Sequence, residues 1–335
     1  MGFSPASENR RTHANNKPAA NKKRKRELIF KMPASSNSAV HKFAITTSAF
    51  TVLLLMAGAL VTSNDAADSV PDWPLAYGKI IPPLVGGIRY EFTHRVVAGI
   101  VSVLTLILAI WLTRTERRPA IVRLGWAAVA LVFAQALLGA ARVLLGHPPL
   151  IATVHATIAQ IFFITTVALA LVTSPWSQSG HPALDDPGSP KVRSVALWTT
   201  LVILLQLVLG AGFRHGAFGI LPHLIGAAAV TFFVIWTTRT AKKRFANVPE
   251  IRSSIKWLNI TFGTQILLGV AAYWAVAKAI DEAQPTPSYV ILTVAYVLVG
   301  ALTLASSVIL TLICYRLLRP SGATQLSSQA TRAAV

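Results

Sequence analysis

Charge is what this sequence has least of. Only 13% of its 335 residues are Asp, Glu, Lys or Arg, about half the share in a soluble domain. Acid is scarcer still, with 12 Asp and Glu against 31 Lys and Arg, for a formal net charge of +19. A single cysteine, Cys314, excludes an intrachain disulfide and any zinc or iron–sulfur site built on a cysteine cluster. It reads as a small buried apolar residue. Short segments of alternating polarity are also missing, which excludes a transmembrane β-barrel with its ~10-residue strands.

Long apolar runs take their place. Hydrophobic residues make up 53% of the chain and the mean hydropathy is +0.57. Eight stretches approach the ~20 apolar residues that a helix needs to cross a bilayer: 42–62, 91–113, 123–145, 150–173, 194–213, 218–238, 256–278 and 288–315. Helices satisfy their own backbone groups in lipid. The reading is an all-α integral membrane protein with eight transmembrane helices.

The placement of the positive charge argues against a nucleic-acid role. Lys22, Lys23, Arg24, Lys25 and Arg26 lie in the segment before span one. Arg114, Arg117, Arg118 and Arg123 follow span two, and Arg239, Lys242, Lys243, Arg244 and Arg252 follow span six. The alternate loops carry acid instead, at Asp65, Asp68, Asp72, Asp281 and Glu282. Basic loops mark the cytoplasmic side. A multi-pass plasma-membrane protein with both termini in the cytoplasm is therefore expected. The segment 1–41 reads as a basic, disordered tail near anionic lipid. It lacks the apolar stretch of a cleavable signal, so span one is expected to be an uncleaved anchor.

The chain also repeats itself. Gln135-Ala-Leu-Leu-Gly139, Gln206-Leu-Val-Leu-Gly210 and Gln265-Ile-Leu-Leu-Gly269 lie in spans three, five and seven. Each precedes a span bearing a ligand-type residue: His155, His223 and Tyr296. The pattern implies two duplicated four-helix bundles, 42–173 and 193–317. They are joined by a Ser/Pro/Gly/Asp-rich cytoplasmic linker at 174–192 and followed by a tail at 318–335. The glycines read as sites of close helix approach and the glutamines as interhelical hydrogen-bonders.

His94, in span two, completes the set. All four ligand-type residues open spans that run inward, so all lie toward the outer face. Polar rings are costly in hydrocarbon unless partnered, and histidine pairs on facing helices are a way to hold haem iron. His94 with His155 makes a complete pair in the first half, and His223 with Tyr296 an incomplete one in the second. Five-coordinate iron on His223, or no second haem, is the expectation there, and tyrosinate ligation the lesser alternative. Glu91 lies one helical turn before His94 on the same face. It reads either as an interfacial residue paired with Arg95 or Arg89, or as a proton-handling group beside bound substrate. Arg89, Arg95, Arg142 and Arg214 fall at outer ends, where they are solvated residues or partners for haem propionates. His147 and His215 read as solvated loop histidines, with His215 an alternative second-half ligand.

These residues resemble the haem A synthase family, over roughly 42–317. The resemblance is carried by Pro71-Asp-Trp-Pro-Leu-Ala-Tyr-Gly-Lys-Ile-Ile-Pro82, by Glu91-Phe-Thr-His-Arg95, by Val154-His155 and by Tyr296-Val-Leu-Val-Gly-Ala-Leu302. It implies that iron of the substrate, haem O, is bracketed by His94 and His155. It implies that Glu91 serves oxidation of a ring methyl to a formyl group through two hydroxylations, and that His223 ligates a b-type haem. Haem A would be the product, made for cytochrome oxidase, with an electron donor and a haem O synthase as partners. Two departures stand out. Val70 and Ala76 occupy the places of a first-loop cysteine pair, and Tyr296 replaces the fourth histidine. The rival readings are a non-catalytic haem-b-binding protein, acting as electron carrier or oxidase assembly factor, and a transporter. Polar residues near one face rather than at the midplane count against the transporter.

Overall fold

A computed structural model describes residues 1–2, 38–279 and 281–320. Eight long helices make up most of it: α1 (Ser38–Ser63), α2 (Ile88–Thr115), α3 (Pro119–Leu144), α4 (Pro149–Val172), α6 (Val192–Arg214), α7 (Ile220–Phe245), α8 (Pro249–Lys278) and α9 (Pro287–Leu317). A single-turn α5 (Pro175–Gln178) and a short strand β1 (Leu184–Asp186) lie between α4 and α6, and β2 (Leu318–Pro320) follows α9. All eight long helices have the length and apolarity to cross a membrane. The protein is an all-α, multi-pass membrane protein.

The helices close into two rings. In the first, α1 packs on α2, α2 on α3, α3 on α4 and α4 back on α1; α6, α7, α8 and α9 repeat the circuit. The rings meet where α1 touches α9, α4 touches α6 and α4 touches α9. Exchanging α1 with α6 and α4 with α9 maps these three contacts onto themselves, as an internal two-fold requires. Phe163 of α4 fills the seam with Leu55, Ala301 and Ala305. Away from the seam the helices are apolar on their outer flanks too. On α2, Val96, Ile100, Val103, Ile107 and Ile110 are exposed while Val101, Leu108 and Leu112 are buried. That is the pattern of helices solvated by lipid. Interhelical hydroxyls add polar contacts: Thr199 meets Thr237 at 2.6 Å, and Thr200 meets Ser307 at 2.7 Å.

Several helices outrun the apolar stretches that announce them. α8 begins at Pro249 rather than 256, with proline in its first turn, where a missing N–H costs nothing. Its early residues Ile251, Ser254 and Ile255 are buried against the bundle, so packing continues the helix past the hydrocarbon edge. α1 likewise begins at Ser38, within the expected tail; the rest of 1–41, Met1 and Gly2 apart, lies outside the described residues. In 174–192, α5 and β1 form, and β1 pairs in parallel with β2. Asp186, 1% exposed, accepts from the Val192 amide at 2.6 Å and from Arg244 at 3.1 Å. The expected tail 318–335 is described only as far as Pro320.

The bundle's two ends differ. One carries the long connection 64–87 and the turns before α4, α7 and α9. The other carries the basic connections after α2 and α7 together with β1 and β2. They are called here the long-loop end and the basic end.

Candidate functional site

The long connection 64–87 is folded over the start of α2 by two side chains. Glu91, 5% exposed, accepts from the Val70 amide at 3.0 Å through one oxygen and from Arg95 at 2.6 Å through the other. Arg95 also donates to the carbonyls of Asp72 and Leu75, each at 2.9 Å. Asp72 closes a turn by accepting from the amides of Tyr77 and Gly78, both at 2.7 Å. The Gly78 N–H, the strongest influence, holds its carboxyl below the ordinary range. Tyr77 and Gly78 have φ of 55° and 68°, the left-handed geometry such a turn requires. The acidic loop motif and the Glu91–Arg95 motif are thus one structural unit. Val70 and Ala76 are both buried within it, and the Val70 amide is the group that Glu91 grips.

Below the loop, the four ligand-type residues repeat one packing motif. Each ring lies across a glycine of the preceding helix. A Cβ on Gly58 would stand 3.1 Å from His94 Cε1; on Gly139, 3.6 Å from His155 Cε1; on Gly210, 2.9 Å from His223 Cε1; on Gly269, 3.2 Å from Tyr296 Cε2. At Gly58, Gly210 and Gly269 a side chain would crowd the ring, whereas at Gly139 a Cβ would meet it in ordinary contact. The carbonyl four residues before the glycine faces the ring in three cases, from Leu54, Gln135 and Gln206. The glutamines tie the helices as expected. Gln135 donates to the His155 carbonyl at 2.9 Å, and Gln206 to the His223 carbonyl at 3.0 Å. The sequence motif Gln-x-x-x-Gly misses the fourth copy, Leu54-x-x-x-Gly58, because leucine stands in the glutamine place.

The first-half pair leaves one ring nitrogen of each histidine without a hydrogen bond. Nδ1 of His94 and Nδ1 of His155 are buried without a partner, although each residue as a whole is only half-buried. His94, Arg142 and His215 all lie within electrostatic reach of His155. Arg142 is in turn within reach of Glu91 and Asp68, and its Nε is buried and unpartnered. His215 is half-buried here rather than solvated. Burial, then the cations Arg142 and Arg214, push it down to about 4. Its position is next to the first-half pair, not in the second-half site. His147 joins Asp68 at 2.8 Å. Arg214 is committed elsewhere: it donates to Ser63 at 2.6 Å, and Ser63 meets Thr293 at 2.8 Å.

The second-half pair is closed. Nε2 of His223 lies 3.0 Å from the Tyr296 hydroxyl. Gln206 Nε2 lies 3.1 Å from its Nδ1. Phe213 stacks on the same imidazole, with ring planes 14° apart and centroids at 6.4 Å. Phe213 stands three residues after Gly210, the place that Arg142 holds after Gly139.

Residues 88–220 match the family model described as cytochrome oxidase assembly protein. Among curated relatives, the "Heme A synthase" of Lysinibacillus sphaericus is 35% identical over 133 residues, covering 39% of this chain and 43% of that protein. The "Heme A synthase" of Halalkalibacterium halodurans is 35% identical over 147 residues, covering 42% and 49%. The chain therefore spans less than half the length of these two relatives. The "Heme A synthase" of Symbiobacterium thermophilum is 27% identical over 267 residues, covering 69% of the chain and 84% of that relative.

Proposed function

From the premise that this chain belongs to the COX15-CtaA family of cytochrome oxidase assembly proteins, we propose that it is a haem A synthase. Its substrate is haem O, and its product carries a formyl group where a ring methyl stood. Two successive hydroxylations of that methyl give a gem-diol, and loss of water gives the aldehyde. Each hydroxylation removes two electrons from the methyl carbon; substrate iron with oxygen supplies the oxidising power, and an electron donor completes the balance. A haem O synthase supplies the substrate and cytochrome oxidase consumes the product.

The observation that carries this reading is the first-half pair. Two imidazoles with unpartnered nitrogens lie on glycines of neighbouring helices, beside a cation whose buried Nε also lacks a partner. His94 and His155 hold the iron of the substrate, and Arg142 meets a propionate. Glu91 handles protons from a position fixed by Arg95 and the Val70 amide. The basic loops support a topology with the long-loop end, and with it the site, toward the outer face of the plasma membrane and both termini in the cytoplasm. The two halves, 42–173 and 193–317, joined through 174–192, are the two bundles.

Co-expression with a haem O synthase, followed by chromatography of the extracted haems, tests the activity. Haem A and its hydroxylated precursor are the expected products; their absence would end the synthase reading. Glu91→Gln separates the two roles of that carboxyl. Bound haem retained with product lost supports proton handling, whereas loss of haem binding assigns Glu91 to holding the loop. The second reading, a non-catalytic haem-binding assembly factor, draws on the closed His223–Tyr296 pair. It predicts bound haem and no haem A in the same experiment.

A further inference from the structure

The carboxy-terminal pair does not fit the haem that the family resemblance assigns to it. A metal–imidazole bond is roughly 2 Å long, so two axial donors stand roughly 4 Å apart across an iron atom. The donor atoms here, His223 Nε2 and Tyr296 Oη, are 3.0 Å apart and hydrogen-bonded to each other. Both nitrogens of His223 are engaged, Nδ1 facing Gln206. Phe213 lies alongside the imidazole, nearly parallel and offset, with centroids at 6.4 Å, and Phe218 packs so tightly on Gly212 that a Cβ there would overlap its ring. The Tyr296 ring is itself seated on Gly269. His94 and His155 differ in that the Nδ1 atom of each has no hydrogen bond.

We infer that the carboxy-terminal half is a haem-free twin of the first, closed by the Tyr296 hydroxyl on His223, and that haem binds this chain only through His94 and His155. The phenol stands where an axial donor would, and its hydroxyl fills the gap that iron needs. The closed pair is then a structural tie, joining α7 to α9 as Gln206 joins α6 to α7. An imidazole is shorter than a phenol. Replacing Tyr296 by histidine therefore withdraws the blocking atom and presents a second nitrogen donor at the same place. This deepens the proposed function and rests on it only in taking haem as the ligand.

The test uses the purified full chain loaded with iron protoporphyrin IX, with haem counted against protein and the iron spectrum recorded. About one haem per chain is expected, unchanged in His223→Ala and lost in His94→Ala. Tyr296→His is expected to raise the count to about two and to add a six-coordinate, bis-histidine spectrum. Because that variant gains a signal, misfolding cannot imitate it. Two haems on the unaltered chain would overturn the inference, as would loss of haem from a His223→Ala protein that remains monodisperse. A Tyr296→His chain that takes up no additional haem would overturn the role given to the phenol. If the unaltered chain binds no haem at all, the closed second half stands and the proposed function falls.

Discussion

The two bundles share a scaffold and differ at the rings. Both close through the same circuit of four helices and set each ring on a glycine. In the first, the imidazoles of His94 and His155 make no hydrogen bonds through Nδ1, and Arg142 lies nearby with its Nε unsatisfied. In the second, His223 is bonded to Tyr296 and faces Gln206, and Phe213 lies parallel beside it. A buried polar atom without a partner is costly; the first bundle carries it on the imidazoles themselves, the second on Oε1 of Gln206 and Gln265. Geometry that holds a ring in place is thus separable from chemistry that leaves the ring free for a ligand.

Arg142 offers the largest test of that difference. Arg142→Gln removes the first half's cation with its unpartnered Nε and should weaken haem binding by ~1.5–3 kcal/mol, the worth of a charge-assisted hydrogen bond. Titration of the apoprotein with haem would measure it. Phe213→Leu in the second half should leave the same titration unchanged; equal effects would erase the distinction between the halves. The glycines come next. Gly210→Ala places a Cβ 2.9 Å from His223, whereas Gly139→Ala places one 3.6 Å from His155. The first should cost ~1–3 kcal/mol through overpacking, and the second less than ~0.5 kcal/mol. Thermal unfolding in detergent would rank them, and a larger loss at Gly139 would contradict the packing described. A separate effect concerns pH. His215 falls from 6.5 to about 4 in the folded chain, so between those values the unfolded chain binds more protons. The stability it contributes is complete above pH 6.5 and drains as pH falls toward about 4. His215→Gln should flatten unfolding midpoints across that window. An unaltered slope would mean that His215 is solvated.

The sequence made the spans and the repeat legible because both are local patterns. Apolar length marks a helix in lipid, and Gln-x-x-x-Gly marks a close crossing. The ends of α1 and α8 were not legible, since hydropathy stops at the membrane edge while packing at Val40 and Ile251 carries the helix on. The partner of Glu91 was half legible. Arg95 lies one turn away on the same helix, but the Val70 amide arrives from 21 positions earlier in the chain, and no periodicity announces it. Tyr296 shows the same limit. Its place in the repeat was plain, yet only the folded structure brings its hydroxyl against His223.

α9 has consequences for assembly. It is the most enclosed of the eight helices, with 61% of its apolar window buried against 11% for α8, and it touches α1, α4, α6 and α8. It also leaves the ribosome after the other seven. Because chains emerge from the amino terminus onward, α1 and α4 wait in the bilayer with one flank unfilled until the final helix arrives. The α1–α9 and α4–α9 contacts of the seam therefore form later than the α4–α6 contact. An early stop codon anywhere before Pro287 would leave that flank facing lipid, however complete the amino-terminal ring.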